Sequence, residues 1–149
     1  LHKPKYIRCG VFSTSYENAE RYINFIYEIA TRDGTIVDYK KSKYDLSITL
    51  KDGTNYVYIN PNLGIRGLRC SKAIIDIDTI TVQQIQTQIK PVCIYCEESD
   101  CQTMSYKSKN SYRALELIHD LQKMVAIYGD KHVNVQSFDD DLPASIIDY

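Results

Sequence analysis

The segment from Asn60 to Asp78, NPNLGIRGLRCSKAIIDID, constrains this chain more than any other. It joins a turn, an Arg-Gly-x-Arg loop (Arg66, Gly67, Arg69) and an apolar run, Ala73 to Ile75, that ends in Asp76. A short apolar run of this kind reads as a strand buried on both faces of a parallel sheet. A carboxylate at the carboxyl end of such a strand sits where open α/β sheets bind ligands. The segment therefore predicts a fold class and gives an address for a site.

The flanking sequence fits the same design. Lys5 to Ser13 reads as an opening strand, and the hydroxyls of Ser13, Thr14 and Ser15 can cap a helix beginning near Tyr16. Ala19, Tyr22, Ile23, Ile26, Ile29 and Ala30 recur at three- and four-residue intervals, which puts one apolar stripe on a helix that Asp33-Gly34 stops. Ile36 to Tyr39 is a strand candidate. Leu46, Ile48 and Leu50 alternate with polar residues, and Asp52-Gly53 turns the chain into Tyr56 to Ile59, a hairpin signature.

Beyond Asp78, Val82 to Ile89 predicts a short helix with Ile85 and Ile89 on one face, ended by Pro91. Val92 to Cys96 predicts a buried strand, and Glu97 to Ser111 a polar surface loop. Ser111 is placed to cap a long helix whose apolar face is Leu115, Ile118, Leu121, Met124, Val125 and Tyr128. His132 to Val135 is a last strand candidate, and Asp139-Asp140-Asp141 opens an acidic, solvated tail. Strands alternating with helices predict a single three-layer α/β domain over residues 1–149, mainly parallel with one antiparallel hairpin inserted.

At this point the order of parts resembles the ATPase core of phage terminase large subunits and related helicases. The likeness rests on VFSTSYENAERYINFI, ITLKDGTNYVYI, GIRGLR and AIID in that order, over Lys5 to Asp78. The resemblance implies a RecA/P-loop-like scaffold, with Asn18 and Ala19 starting the first helix, Arg66 and Gly67 in the Arg-Gly loop, and Asp76 in the position that holds magnesium. Two departures matter. No Gly-rich loop ending in Gly-Lys-Ser/Thr is present, so the backbone cradle and Lys that grip nucleotide phosphates are missing. Ile77 stands where the family has a water-orienting Glu, although Asp78 on a continuing strand would share a face with Asp76. The expectation is a scaffold of phage or mobile-element origin that no longer hydrolyses nucleotides.

Composition bounds the partners. The formal net charge is -1, from 18 basic and 19 acidic side chains, so nucleic-acid contact requires a local patch. Three basic clusters interleaved with Tyr offer one: Lys40, Lys41 and Lys43; Arg66, Arg69 and Lys72; and Lys107, Lys109 and Arg113. If they share a face they form a phosphate-binding stripe, and otherwise they are separate solvated surfaces. Arg66 and Arg69 are expected to project from strand ends into the cleft. No apolar run approaches the roughly 20 residues that span a bilayer, and a soluble, cytoplasmic protein is expected. The chain opens on Leu1, which fits either an excised fragment or an alternative start codon. Thirteen Tyr with no Trp suggest rings at half-buried sheet positions.

Metal readings are open at two places. Asp76 and Asp78 can take magnesium. Cys93, Cys96 and Cys101 give a C-x2-C-x4-C spacing suited to zinc, with Cys70, Cys9, His119 or His132 as a fourth ligand. If Val92 to Cys96 is a strand, Cys93 and Cys96 point to opposite faces and cannot share an ion. No cofactor is therefore expected, and five cysteines in a reducing compartment read as free thiols. The sequence reading is a non-enzymatic binding protein acting on nucleic acid or on a host or phage nucleoprotein complex. The competing class is a fragment of a DNA-packaging ATPase, or a metal-dependent nuclease using Asp76 and Asp78.

Overall fold

A computed structural model of the chain describes residues 7–42, 45–65, 68–93, 96–107, 112–137 and 144–148. A six-stranded sheet forms its centre, in the order β2-β3-β4-β1-β5-β6. The strands are β1 (Arg8–Phe12), β2 (Ile36–Lys41), β3 (Leu46–Leu50), β4 (Asn55–Ile59), β5 (Lys72–Asp76) and β6 (Cys101–Met104). β1 pairs in parallel with β4 and β5, and β5 in parallel with β6. Because β3 is antiparallel to both β2 and β4, β3 alone runs against the other five.

Helix α1 (Tyr16–Asp33) carries the chain from central β1 to edge strand β2 across one face. Its start is fixed by Ser15, whose hydroxyl accepts the Asn18 N–H at 3.2 Å. Its end is fixed by Gly34 in the left-handed conformation (φ 67°), where a side chain would be strained. Ala19, Ile23 and Ala30 pack on Cys9, Val11, Leu46, Ile48 and Ile74. Tyrosines line this layer in three pairs between helix and sheet: Tyr16 with Tyr58, Tyr22 with Tyr56 and Tyr27 with Tyr39, at centroid separations of 6.0, 6.4 and 4.3 Å. The Tyr39 hydroxyl donates to Asn24 Oδ1 at 2.9 Å, which keeps a half-buried ring satisfied.

The opposite face is covered by a helical run and by α4 (Ala114–Tyr128). The run comprises α2 (Val82–Gln84), a π turn (Ile85–Ile89) and α3 (Lys90–Val92). Ile85, Ile89, Val92, Ala126 and Ile127 meet Phe12, Ile59, Ala73 and Ile75 there. The three-layer α/β arrangement expected of the sequence is present. A second, two-stranded antiparallel sheet pairs β7 (Val133–Ser137) with β8 (Ala144–Asp148).

Several local expectations are corrected. Pro91 does not end its helix: the Lys90 N–H reaches back five residues to Ile85 O, and α3 continues through the proline. The wide turn precedes the residue that has no N–H to give, so the missing bond falls in the last turn. The described residues of the expected strand Val92 to Cys96 do not form one: Val92 closes α3, and the Cys96 N–H donates to Cys93 O. The polar loop contains β6, an edge strand added beside β5. Ser111 lies outside the described residues, and α4 begins at Ala114 behind Arg113, which makes no side-chain cap bond. The face predicted for α4 is rotated: Leu115, Ile118 and Val125 are exposed, while Ala126 and Ile127 are buried. Apolar residues surround most of this helix, so periodicity alone could not choose its inner side. The acidic run Asp139 to Asp141 lies outside the described residues, and Ala144–Asp148 beyond it is strand rather than tail.

Candidate functional site

Asp76 ends β5 beside the end of central β1, at the carboxyl edge of the sheet, and is 0% exposed. Its Oδ2 accepts from the Ser13 hydroxyl at 2.7 Å, the Thr79 hydroxyl at 3.0 Å and Asn18 Nδ2 at 3.0 Å. Its Oδ1 accepts the Asp78 N–H at 3.0 Å. Ser13 and Thr79 are oriented in turn, since the Ser15 N–H donates to Ser13 Oγ and the Thr14 N–H donates to Thr79 Oγ1. One carboxylate thus ties together the end of β1, the start of α1 and the turn after β5.

Asp78 leaves the strand and faces elsewhere. Its oxygens accept from the Ser105 hydroxyl at 2.7 Å and the Tyr106 N–H at 2.9 Å, which pins the segment after β6. Asp76 and Asp78 therefore do not share a strand face as anticipated, because the chain turns at Ile77. Lys123 of α4 donates to Ile77 O at 2.6 Å, and burial pulls its ammonium below the usual lysine range against the opposing pull of Asp120 and Asp78. Arg21 stacks over the Tyr106 ring at 5.2 Å.

The residues present do not suit magnesium at Asp76. A hard cation needs carboxylate lone pairs turned toward an open, hydrated space, whereas here hydroxyl, amide and backbone hydrogens already point at both oxygens. Among the described residues, no three His, Cys, Asp or Glu side chains are grouped to hold a metal ion.

The basic residues divide between opposite edges. Lys40 and Lys41 end β2 at the same edge as Asp76, and Lys40 lies 3.9 Å from Asp45 with both side chains exposed. Arg69 and Lys72 lie at the amino edge, because residues 60–71 return the chain from the end of β4 to the start of β5. Four steps along β5 separate Lys72 from Asp76 by roughly 13 Å. Arg69 therefore does not enter the Asp76 cleft, and its guanidinium donates to Leu68 O at 2.9 Å. Lys43, Arg66, Gly67 and Lys109 lie outside the described residues. Of the two alternatives for the basic clusters, a shared stripe or separate surfaces, this topology separates Lys40 and Lys41 from Arg69 and Lys72. Instead, exposed Lys51, Arg69 and Lys72 and half-buried Arg8 gather along the amino edge from separate segments. Asp52 stands among them; the backbone and hydroxyl of Thr54, with a smaller pull from Lys72, hold its carboxyl below its usual value.

Cysteines also collect at that edge. The Cys70 N–H donates to Val92 O at 2.8 Å, and Cys96 Sγ donates to Cys70 O at 3.5 Å. Burial pushes the Cys70 thiol up to about 11; at Cys96 the hydrogen bond with Cys101 pulls the thiol down, but the bond with Cys93 and burial outweigh it and push it up to about 12. Cys101 is raised by Cys96 and by burial. His119 is exposed on α4, so a Cys-His pair is not formed there. A groove of about 520 Å³ lies between α2, the π turn and α4, lined by Val82, Ile118, Leu121 and Val125 among others.

Sequence reading found Asp76 from its strand-end position, and named Ser13 and Asn18 only for helix capping and the family likeness. Ser105 and Lys123 carried no local signal, since they act across 27 and 46 positions in the chain, whereas Thr79 bonds Asp76 from only three positions away, within the turn after β5. No helix among the described residues is long and apolar enough to cross a membrane. No protein-family model, curated protein or solved structure matches this chain.

Proposed function

We propose that this chain is a non-enzymatic binding domain for nucleic acid, on a scaffold that resembles a terminase or helicase ATPase core, and that it engages phosphates through the amino edge of its sheet. The observation that carries the non-enzymatic part is the saturation of Asp76: the carboxylate that would serve a metal instead accepts four bonds from the chain's own donors. Together with the missing phosphate loop, this leaves neither a nucleotide grip nor a metal-activated water. Support for the binding part comes from Arg8, Lys51, Arg69 and Lys72 converging on one edge in a protein of near-zero net charge. Phage origin and a nucleoprotein target rest on the family resemblance alone.

The test is anisotropy of labelled single- and double-stranded DNA. Four phosphate contacts predict a loss of about a hundredfold in affinity between about 50 mM and about 200 mM salt. Arg69→Ala with Lys72→Ala should reduce the salt slope by about 2. Lys40→Ala with Lys41→Ala, at the opposite edge, should leave it unchanged. Absence of binding, or sensitivity to the second pair and not the first, overturns the reading. Magnesium-dependent cleavage of the DNA, lost in a folded Asp76 variant, would favour the nuclease instead.

A further inference from the structure

Four of the five cysteines come together on one face of the sheet, and the fifth does not. Cys70, Cys93 and Cys101 belong to the packing layer of Phe12, Ala73 and Val92. Cys96 joins them through its bond to Cys70 O. Cys9 lies on the other face, packed with Val11, Ala19 and Ile23 under α1. The four arrive from three separate stretches of chain: the loop before β5, the turn after α3, and the first residue of β6 opposite Ala73. Gly10 of β1 makes room for this group, since a Cβ there would stand 2.9 Å from Cys70 Sγ.

We infer that Cys70, Cys93, Cys96 and Cys101 form a tetrathiolate site for a thiophilic divalent cation of the zinc class. Neither Cys93 nor Cys96 lies in the strand that would have sent them to opposite faces. In its place the Cys96 N–H donates to Cys93 O at 3.0 Å, and a C-x2-C turn of this kind is a common zinc half-site. Cys70 is tied to that turn on both sides, by its N–H to Val92 O and by its carbonyl to Cys96 Sγ. Cys101 starts the neighbouring strand, and its carbonyl is held by the Tyr128 hydroxyl at 3.2 Å. The thiols do not surround one point as they stand. Cys96 already lies within hydrogen-bonding reach of the Cys93 and Cys101 thiols, and binding must draw the four sulfurs to the separation of about 3.8 Å that a zinc tetrathiolate needs. On binding, each thiol gives its proton to solvent and its sulfur lone pair to the cation. The site is independent of the nucleic-acid reading, although the cation would fasten the loop that bears Arg69.

The experiment uses the full chain, purified under reducing conditions without chelator. Elemental analysis is expected to find one zinc per chain. After zinc removal, titration with Co(II) is expected to produce a thiolate-to-cobalt charge-transfer band and the visible bands of tetrahedral cobalt, saturating at one equivalent. Cys96→Ser and Cys93→Ser, at the turn, should lose the tetrahedral spectrum while circular dichroism stays unchanged. Cys9→Ala, on the far face, should keep it. No retained metal and no cobalt spectrum in reduced protein overturns the site, as does a spectrum unaffected by Cys96→Ser. A spectrum lost equally in a folded Cys9→Ala variant overturns this choice of ligands.

Discussion

Ser13, the residue after β1, donates its hydroxyl proton to Asp76 Oδ2 across 2.7 Å, although 63 positions separate the two in the chain. Both side chains are fully buried. In water-free surroundings such a bond is strong, and at Asp76 it is joined by bonds from Asn18 and Thr79. Asp76 is therefore a keystone of the fold.

Replacing Asp76 by Ala should destabilise the domain by about 3–5 kcal/mol, because three side-chain donors and one backbone N–H lose their acceptor together. Asp76→Asn should cost about 2 kcal/mol, since the amide offers hydrogens where donors already point. Ser13→Ala should cost less than either substitution at Asp76, as Asn18 and Thr79 still hold the carboxylate. Urea unfolding followed by circular dichroism ranks the three. Equal stability of Asp76→Ala and the unsubstituted chain would refute the keystone role.

Gly10 and Gly34 should respond differently to Ala. At Gly10 a Cβ would meet the Phe12 ring at 2.6 and 2.8 Å and Cys70 Sγ at 2.9 Å, in a packed core. Overpacking of this kind costs about 1–3 kcal/mol. At Gly34 no atom lies within 4 Å, and the penalty comes from the φ of 67° alone, about 1 kcal/mol. Thermal midpoints of the two variants should therefore separate, with Gly10→Ala the lower.

Ser15→Ala removes the acceptor of the Asn18 N–H and should lower stability by about 1 kcal/mol. Ser15→Asp should restore it, because a carboxylate both caps the helix and favours its positive end. Loss in the Ala variant without recovery in Asp would show that the hydroxyl acts through something other than the cap.

Stability in metal-free protein should fall at alkaline pH. Cys70 and Cys96 have folded values of about 11 and about 12 against an ordinary 9.0, and burial raises Cys9 to about 12 as well. Above pH 9 the unfolded chain releases these protons while the folded chain keeps them, so unfolding gains free energy with each step in pH. The decline should begin near the unfolded value and level off once the folded thiols also ionise. Urea midpoints across this range provide the check, and Cys9→Ala should flatten the slope. An unchanged slope would mean that Cys9 ionises at its ordinary value in the folded state.

The sequence alone determined the alternation of elements, and did so where local physics is decisive. Ser15 and Gly34 fixed the two ends of α1, and Asp52-Gly53 with its flanking alternation fixed the β3–β4 hairpin. The apolar run before Asp76 fixed a buried strand with a carboxylate at its end. Caps, turns and periods are written within a few residues, so they can be read there. What tertiary structure decided was everything that depends on which segments become neighbours. It added β6 from a stretch too polar to announce a strand, because β5 offered a free edge for its backbone to pair with. It turned α4 to bury Ala126 and Ile127, since an apolar helix follows its partner and not its own periodicity. It sent Arg69 to the edge opposite Asp76, because a parallel connection must return to the amino end of the next strand. It also filled the acceptors of Asp76 with Ser13, Asn18, Thr79 and the Asp78 backbone, converting a candidate metal ligand into a structural joint. Hydrogen bonds across 58 and 63 positions exist only once the chain has folded, and no local pattern encodes them.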